Sequence, residues 1–156
     1  MDTLFKFCCG VMEVIAVLSG RTYEEVNSIA FIYAEPAIVT FTAALPLLYL
    51  IYRLYRRRTP TRFALTGAAA VYFLPHAFGL MKLWQHYDMS LQAACELAYK
   101  DLEWLGETTG LGYQAVNILL FIVLFLFLTL LNIFLFTLLR NTVIDAPRAK
   151  KRKKKK

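Results

Sequence analysis

Little in this chain is equipped for metal or nucleophilic chemistry. It holds three cysteines and two histidines among 156 residues. Cys8 and Cys9 are adjacent and Cys95 stands alone, an odd set that makes no disulfide framework. No Cys/His spacing resembles a zinc site, so the cysteines read as small buried hydrophobes. Gly-x-Ser-x-Gly, the phosphate loop and His-Glu-x-x-His are all missing, and Cys8-Cys9 has no nearby base. These absences argue against an enzyme, a metal site and a cofactor. Acidic residues are scarce too: eleven against eighteen Lys and Arg, for a net charge of +7.

What the chain has in excess is apolar surface. Hydrophobic residues make up 58% and the mean hydropathy is +0.49. They cluster in blocks long enough to cross a bilayer, which takes about 20 residues per helix. Thr22 with Glu25 forms a capping-box signature, and a spanning helix is expected from there to about Arg53. A second should run from about Phe63 to Gln85, with Gly67, Ala68, Ala69 and Ala70 allowing close helix approach. The third, from about Tyr113 to Leu139, is the most apolar. Pro36, Pro46 and Pro75 fall inside spans, where neighbouring groups can satisfy the freed carbonyls.

Two shorter apolar segments precede the first and third spans. Residues 3 to 18 are interrupted by Lys6 and Glu13, and the Met1-Asp2 start does not read as a secretory signal. In the other, Leu91, Ala94, Cys95, Ala98, Leu102 and Leu105 form a helical stripe. Both are expected to be amphipathic helices at the membrane interface. Were residues 3 to 18 to span instead, the count would be four.

A motif occurs twice, ninety positions apart. Gly20, Tyr23, Val26 and Asn27 match Gly110, Tyr113, Val116 and Asn117, as Gly-x-x-Tyr-x-x-Val-Asn. Glu13 aligns with Glu103, Phe31 with Phe121 and Ile32 with Ile122. The expected architecture is therefore an all-α integral membrane protein built as a parallel internal repeat. Residues 1–60 form the first unit: amphipathic helix, motif, spanning helix and basic loop. Residues 61–88 form a linking span, residues 89–144 the second unit, and residues 145–156 a basic, disordered tail.

Charge sets the orientation. Arg53, Arg56, Arg57, Arg58 and Arg62 form one cluster. Arg148, Lys150, Lys151, Arg152, Lys153, Lys154, Lys155 and Lys156 form another. The positive-inside rule puts both on the cytoplasmic side, with the C-terminus inside and both motifs outside. Clustered cations beside a bilayer bind anionic lipid. They would also attract nucleic-acid phosphates without sequence selectivity, but no aromatic platform interleaves the lysines, which counts against nucleic acid as the partner.

Candidate functional residues follow from depth. Gly20 and Gly110 can take the left-handed conformation that ends a helix. Tyr23 and Tyr113 belong at headgroup level, and Asn27 and Asn117 lie about one turn deeper. Glu35 lies about 12 Å beyond Asn27, and His76 about 13 Å from the outer end of the second span. An ionisable residue at such depth marks an ion or proton pathway by default, and a Glu35–His76 pair is the expectation. Asn132, in the third span, reads as interhelical glue. The run Thr108-Thr109-Gly110-Leu111-Gly112-Tyr113 invites comparison with a potassium-channel filter. Its order differs from Thr-Val-Gly-Tyr-Gly, and the first copy carries Arg21, Glu24 and Glu25, so the match is rejected.

The Gly20, Tyr23, Glu24, Glu25, Val26 and Asn27 stretch, echoed at Gly110, Tyr113, Val116 and Asn117, resembles a group of short, largely uncharacterised bacterial membrane proteins. That resemblance covers about a third of the chain and implies a bacterial inner membrane but no activity. The layout is separately similar to three-span phage holins. The leading expectation is a multi-pass inner-membrane protein that homo-oligomerises into a pore. Its rivals are a scaffold recruiting anionic lipid or a soluble cytoplasmic partner through the lysine tail, and a holin-like lysis protein.

Overall fold

Every described element is a helix in the computed structural model, which describes the backbone of residues 2–153 and the side chains of residues 3–141. The order is α1 (Asp2–Ser19), α2 (Tyr23–Ser28), α3 (Glu35–Arg56), α4 (Pro60–His86), α5 (Leu91–Thr109), α6 (Tyr113–Ile118) and α7 (Phe125–Lys153). Among the described residues three helices are long and apolar enough to cross a membrane: Tyr23–Arg56, Pro60–His86 and Tyr113–Asn141. Pro46 and Pro75 lie inside α3 and α4 without ending them. Pro60 occupies the first position of α4, where a missing N–H leaves no bond unmade.

Plain helices were the expectation for the first and third spans, and here the structure departs from it. A six-residue π-helical segment joins α2 to α3 at Ile29–Ala34, and another joins α6 to α7 at Leu119–Leu124. In the first, the Glu35 N–H reaches back five residues to the Ala30 carbonyl. Pro36, next along, has no N–H to give the Ile32 carbonyl. That carbonyl instead accepts the Trp84 indole N–H at 3.1 Å. Leu126 stands where the second copy would need a proline, so proline does not account for the second π segment.

The bounds of α5, α6 and the second π segment are those of α1, α2 and the first displaced by ninety residues, apart from the first residue of α1. Each short helix ends at a left-handed glycine, Gly20 at φ 66° and Gly110 at φ 70°. The Gly20 N–H bonds the Val17 carbonyl, and the Gly110 N–H the corresponding Glu107 carbonyl. The helices that follow start differently. At α2 the expected capping box is present: Thr22 Oγ1 accepts from the Glu25 N–H at 3.2 Å, and the Thr22 N–H donates to Glu25 Oε2 at 3.1 Å. At α6 the cap is Gly112, with no side chain to offer. The chain there passes so close to Gly106 that a Cβ would come within 2.8 Å of Gly112 and Tyr113 backbone atoms.

The chain divides into two compact units. The first comprises residues 1–38 and 79–127, with a core of Ile32, Tyr87 and Ala94 backed by Tyr33, Leu83, Leu97 and Ala98. The second comprises residues 39–78 and 128–156. At its centre Asn132 is fully buried. It accepts from the Tyr72 hydroxyl at 2.6 Å and donates to the Val39 carbonyl and Thr42 Oγ1, both at 3.1 Å. One amide thus ties α3, α4 and α7, as a polar group in apolar surroundings must. At the α3–α4 turn, Arg62 donates to the Arg53 and Arg57 carbonyls.

Lys150, Lys151, Arg152, Lys153, Lys154, Lys155 and Lys156, expected to be a lipid-binding tail, lie outside the residues with described side chains. The backbone of α7 is helical to Lys153, into the segment expected to be disordered.

Candidate functional site

The corners at Gly20 and Gly110 bring the paired motif residues together within the first unit. Tyr23 begins α2 and donates its hydroxyl to Cys9 Sγ at 3.4 Å. Tyr113 begins α6, its ring edge-on to Phe5 with centroids 6.4 Å apart and tilted against Tyr99 at 5.1 Å. Asn117, one turn later and buried, donates its amide to the Tyr113 hydroxyl at 3.4 Å. The π segments carry Phe31 and Phe121, which stack with centroids 3.8 Å apart and planes 18° off parallel. These two residues stand ninety positions apart in the sequence and touch each other.

Below this arrangement is a pocket of about 180 Å³. Asn27, Asn117 and Glu35 all line it, together with Tyr23, the two stacked phenylalanines and Cys8 and Cys9. In an α-helix, residues eight apart diverge by roughly 80° around the axis. The wider π turn absorbs that divergence, so Asn27, Phe31 and Glu35 face one space. Glu35 is the pocket's one acidic side chain, with no basic one beside it, and among the described residues its carboxyl group has no hydrogen-bond or ion-pair partner. Ninety positions after Glu35 stands Phe125, so the second π segment leads into no carboxylate.

A larger cavity of about 640 Å³ adjoins it. Tyr23, Asn27, Phe31 and Phe121 line both spaces, so the stacked phenylalanines form a shared wall. Tyr87, Tyr99 and Tyr113 bring further aromatic surface, and Asp101, Glu24, Glu96 and Lys100 the charge. Asp101 Oδ2 accepts from the Tyr87 hydroxyl at 2.9 Å and lies 3.0 Å from His86 Nε2. Burial, and then the hydrogen bond and charge of Asp101, raise the Tyr87 hydroxyl well above the usual phenol range.

His76 belongs to the second unit. Its Nδ1 lies 3.0 Å from the Tyr72 carbonyl, and its ring tilts against Tyr72 at 4.9 Å. Arg56, Arg57 and Arg58 are exposed at the end of α3, with the Arg56 guanidinium 5.1 Å from the Tyr52 ring centre. Among the described residues no three His, Cys, Asp or Glu side chains group as metal ligands.

The sequence singled out Asn27, Asn117 and Glu35, which line one pocket, but not the Tyr87–Asp101–His86 cluster or Trp84. A proline at 36 signals a carbonyl in search of a donor, but not which donor. Comparison with family models, with curated proteins and with solved structures finds no match for this chain.

Proposed function

We propose that this is a multi-pass bacterial inner-membrane protein whose copies assemble into a channel-like pore, with Glu35, Asn27 and Asn117 on the path. One observation carries the reading. A carboxylate with no partner among the described residues faces a pocket with two amides, inside segments apolar enough to span a bilayer. An ionised group in that setting is costly unless an ion, a proton or a neighbouring chain meets it. The pocket is small for a path on its own, which favours assembly. The parallel repeat is part of the proposal. The ninety-residue recurrence of helix bounds, the matching glycine corners and the contact of Phe31 with its equivalent Phe121 all support it. In this reading α1 and α5 lie at the outer interface, and the exposed Arg56–Arg58 cluster and the C-terminus lie in the cytoplasm.

Ion flux through liposomes containing the purified protein tests it, with Glu35→Gln beside the parent. Parent flux that changes in Glu35→Gln is the expected result. No flux at any pH or voltage, or a strictly monomeric protein in mild detergent, would overturn it.

A scaffold recruiting anionic lipid or a soluble partner is the second reading, favoured by the lysine run at the C-terminus. Deleting residues 149–156 separates the two: a pore keeps conducting, whereas a scaffold loses its partner. A holin-like protein would instead kill on expression and release a co-expressed muralytic enzyme.

A further inference from the structure

We infer that the cavity of about 640 Å³ in the first unit is a binding site for a bulky organic cation, such as a quaternary ammonium or phosphonium group. This is independent of conduction through the Glu35 pocket and holds whether or not the chain forms a pore.

The volume lies within the range of sites that enclose a small organic ligand, about 300–1,000 Å³. Six of its nineteen lining residues are aromatic: Tyr23, Tyr87, Tyr99, Tyr113, Phe31 and Phe121. Aromatic faces carry negative quadrupole density, and several arranged around one space favour a diffuse cation over a neutral or anionic guest. The charged lining agrees in sign: Asp101, Glu24 and Glu96 against Lys100 alone. Asp101 takes both of its contacts, from Tyr87 and His86, on Oδ2. Among the described residues Oδ1 makes no hydrogen bond, which leaves one carboxylate oxygen for a cationic guest. The lining is mostly apolar, which suits a bulky cation with its charge spread over carbon, because such a cation gives up little hydration on entering.

Such a cation has two sources, a free molecule or the ammonium headgroup of a membrane lipid. The test uses the full chain in a non-ionic detergent, with equilibrium dialysis of tetraphenylphosphonium against neutral triphenylphosphine oxide. Saturable binding of the phosphonium at tenfold or better preference over the oxide is expected. Tyr99 is half-exposed, so its substitution spares the core. Tyr99→Phe keeps the ring and should bind within twofold of the parent. Tyr99→Leu should weaken binding roughly three- to thirtyfold, the range of a cation–aromatic contact. Equal binding of the oxide, equal loss in both Tyr99 variants, or no saturable binding by a parent of intact helicity would overturn the proposal. Repeating the dialysis in nanodiscs of phosphatidylglycerol with and without phosphatidylcholine separates the sources. Displacement by the choline lipid assigns the site to a quaternary ammonium headgroup, and its absence to a free cation.

Discussion

Asn132 and Tyr87 show how single polar atoms decide stability in a chain this apolar. Asn132 makes three hydrogen bonds from a fully buried position, and interhelical bonds of this kind average about 0.6 kcal/mol in membrane proteins. Asn132→Leu keeps the volume and should destabilise by on the order of 2 kcal/mol. Unfolding by SDS in mixed micelles would measure it, and an unchanged midpoint would mean that Tyr72 and Thr42 find other partners. Tyr87 acts through pH. Its hydroxyl is buried against Asp101 and titrates above its ordinary 10.0 in the folded protein. The unfolded chain therefore gives up that proton first as pH rises, and the folded state loses its advantage from about pH 10 upward. Stability should be level in this contribution below that pH and fall above it. Tyr87→Phe should remove part of the alkaline fall, which thermal unfolding from pH 8 to 11 would record. The sequence offers no sign of this residue: Tyr87 and Asp101 stand fourteen apart across a turn, with no motif joining them.

At the level of helices and turns, two glycines illustrate opposite demands. Gly110 sits at φ 70°, where a Cβ is disfavoured by roughly 1–2 kcal/mol. Gly67 is in the regular part of α4, with open space where a Cβ would go. Gly110→Ala should therefore lower the melting temperature, while Gly67→Ala should hold or raise it, alanine being the better helix former by up to about 1 kcal/mol. Circular dichroism melts of both in one detergent check the sign. The corner glycines, the Thr22–Glu25 box and the three apolar helices were legible because each rests on local residue chemistry. The π segments were not. Their hydrogen-bond register depends on what packs around them, and nothing in Ile-Ala-Phe-Ile-Tyr-Ala or Leu-Leu-Phe-Ile-Val-Leu distinguishes a π turn from an α turn. Their effect is nonetheless large, because Glu35 shares a pocket with Asn27 only when the helix is wound wider between them.

Across the whole molecule, the proposed orientation rests on charge and is open to direct measurement. On the proposed topology, alkaline phosphatase fused after Gly110 should be active, and the same enzyme fused after Arg58 inactive; the reverse pattern would invert every span. The candidate site was legible only in outline, because depth along a helix placed Glu35, Asn27 and Asn117 but could not supply the cavity beside them. That cavity depends on side chains brought in from α5, whose stripe of Leu91, Ala94, Cys95, Ala98, Leu102 and Leu105 reads in sequence as a simple apolar face. The Trp84 contact has a use of its own. The chain has two tryptophans, and Trp104 is 64% exposed whereas the Trp84 indole N–H is held by the Ile32 carbonyl. In a nitrogen-15 spectrum one indole signal should exchange quickly with deuterated water and the other slowly. The slow one would report, with no change to the sequence, when the widened turn before Glu35 opens.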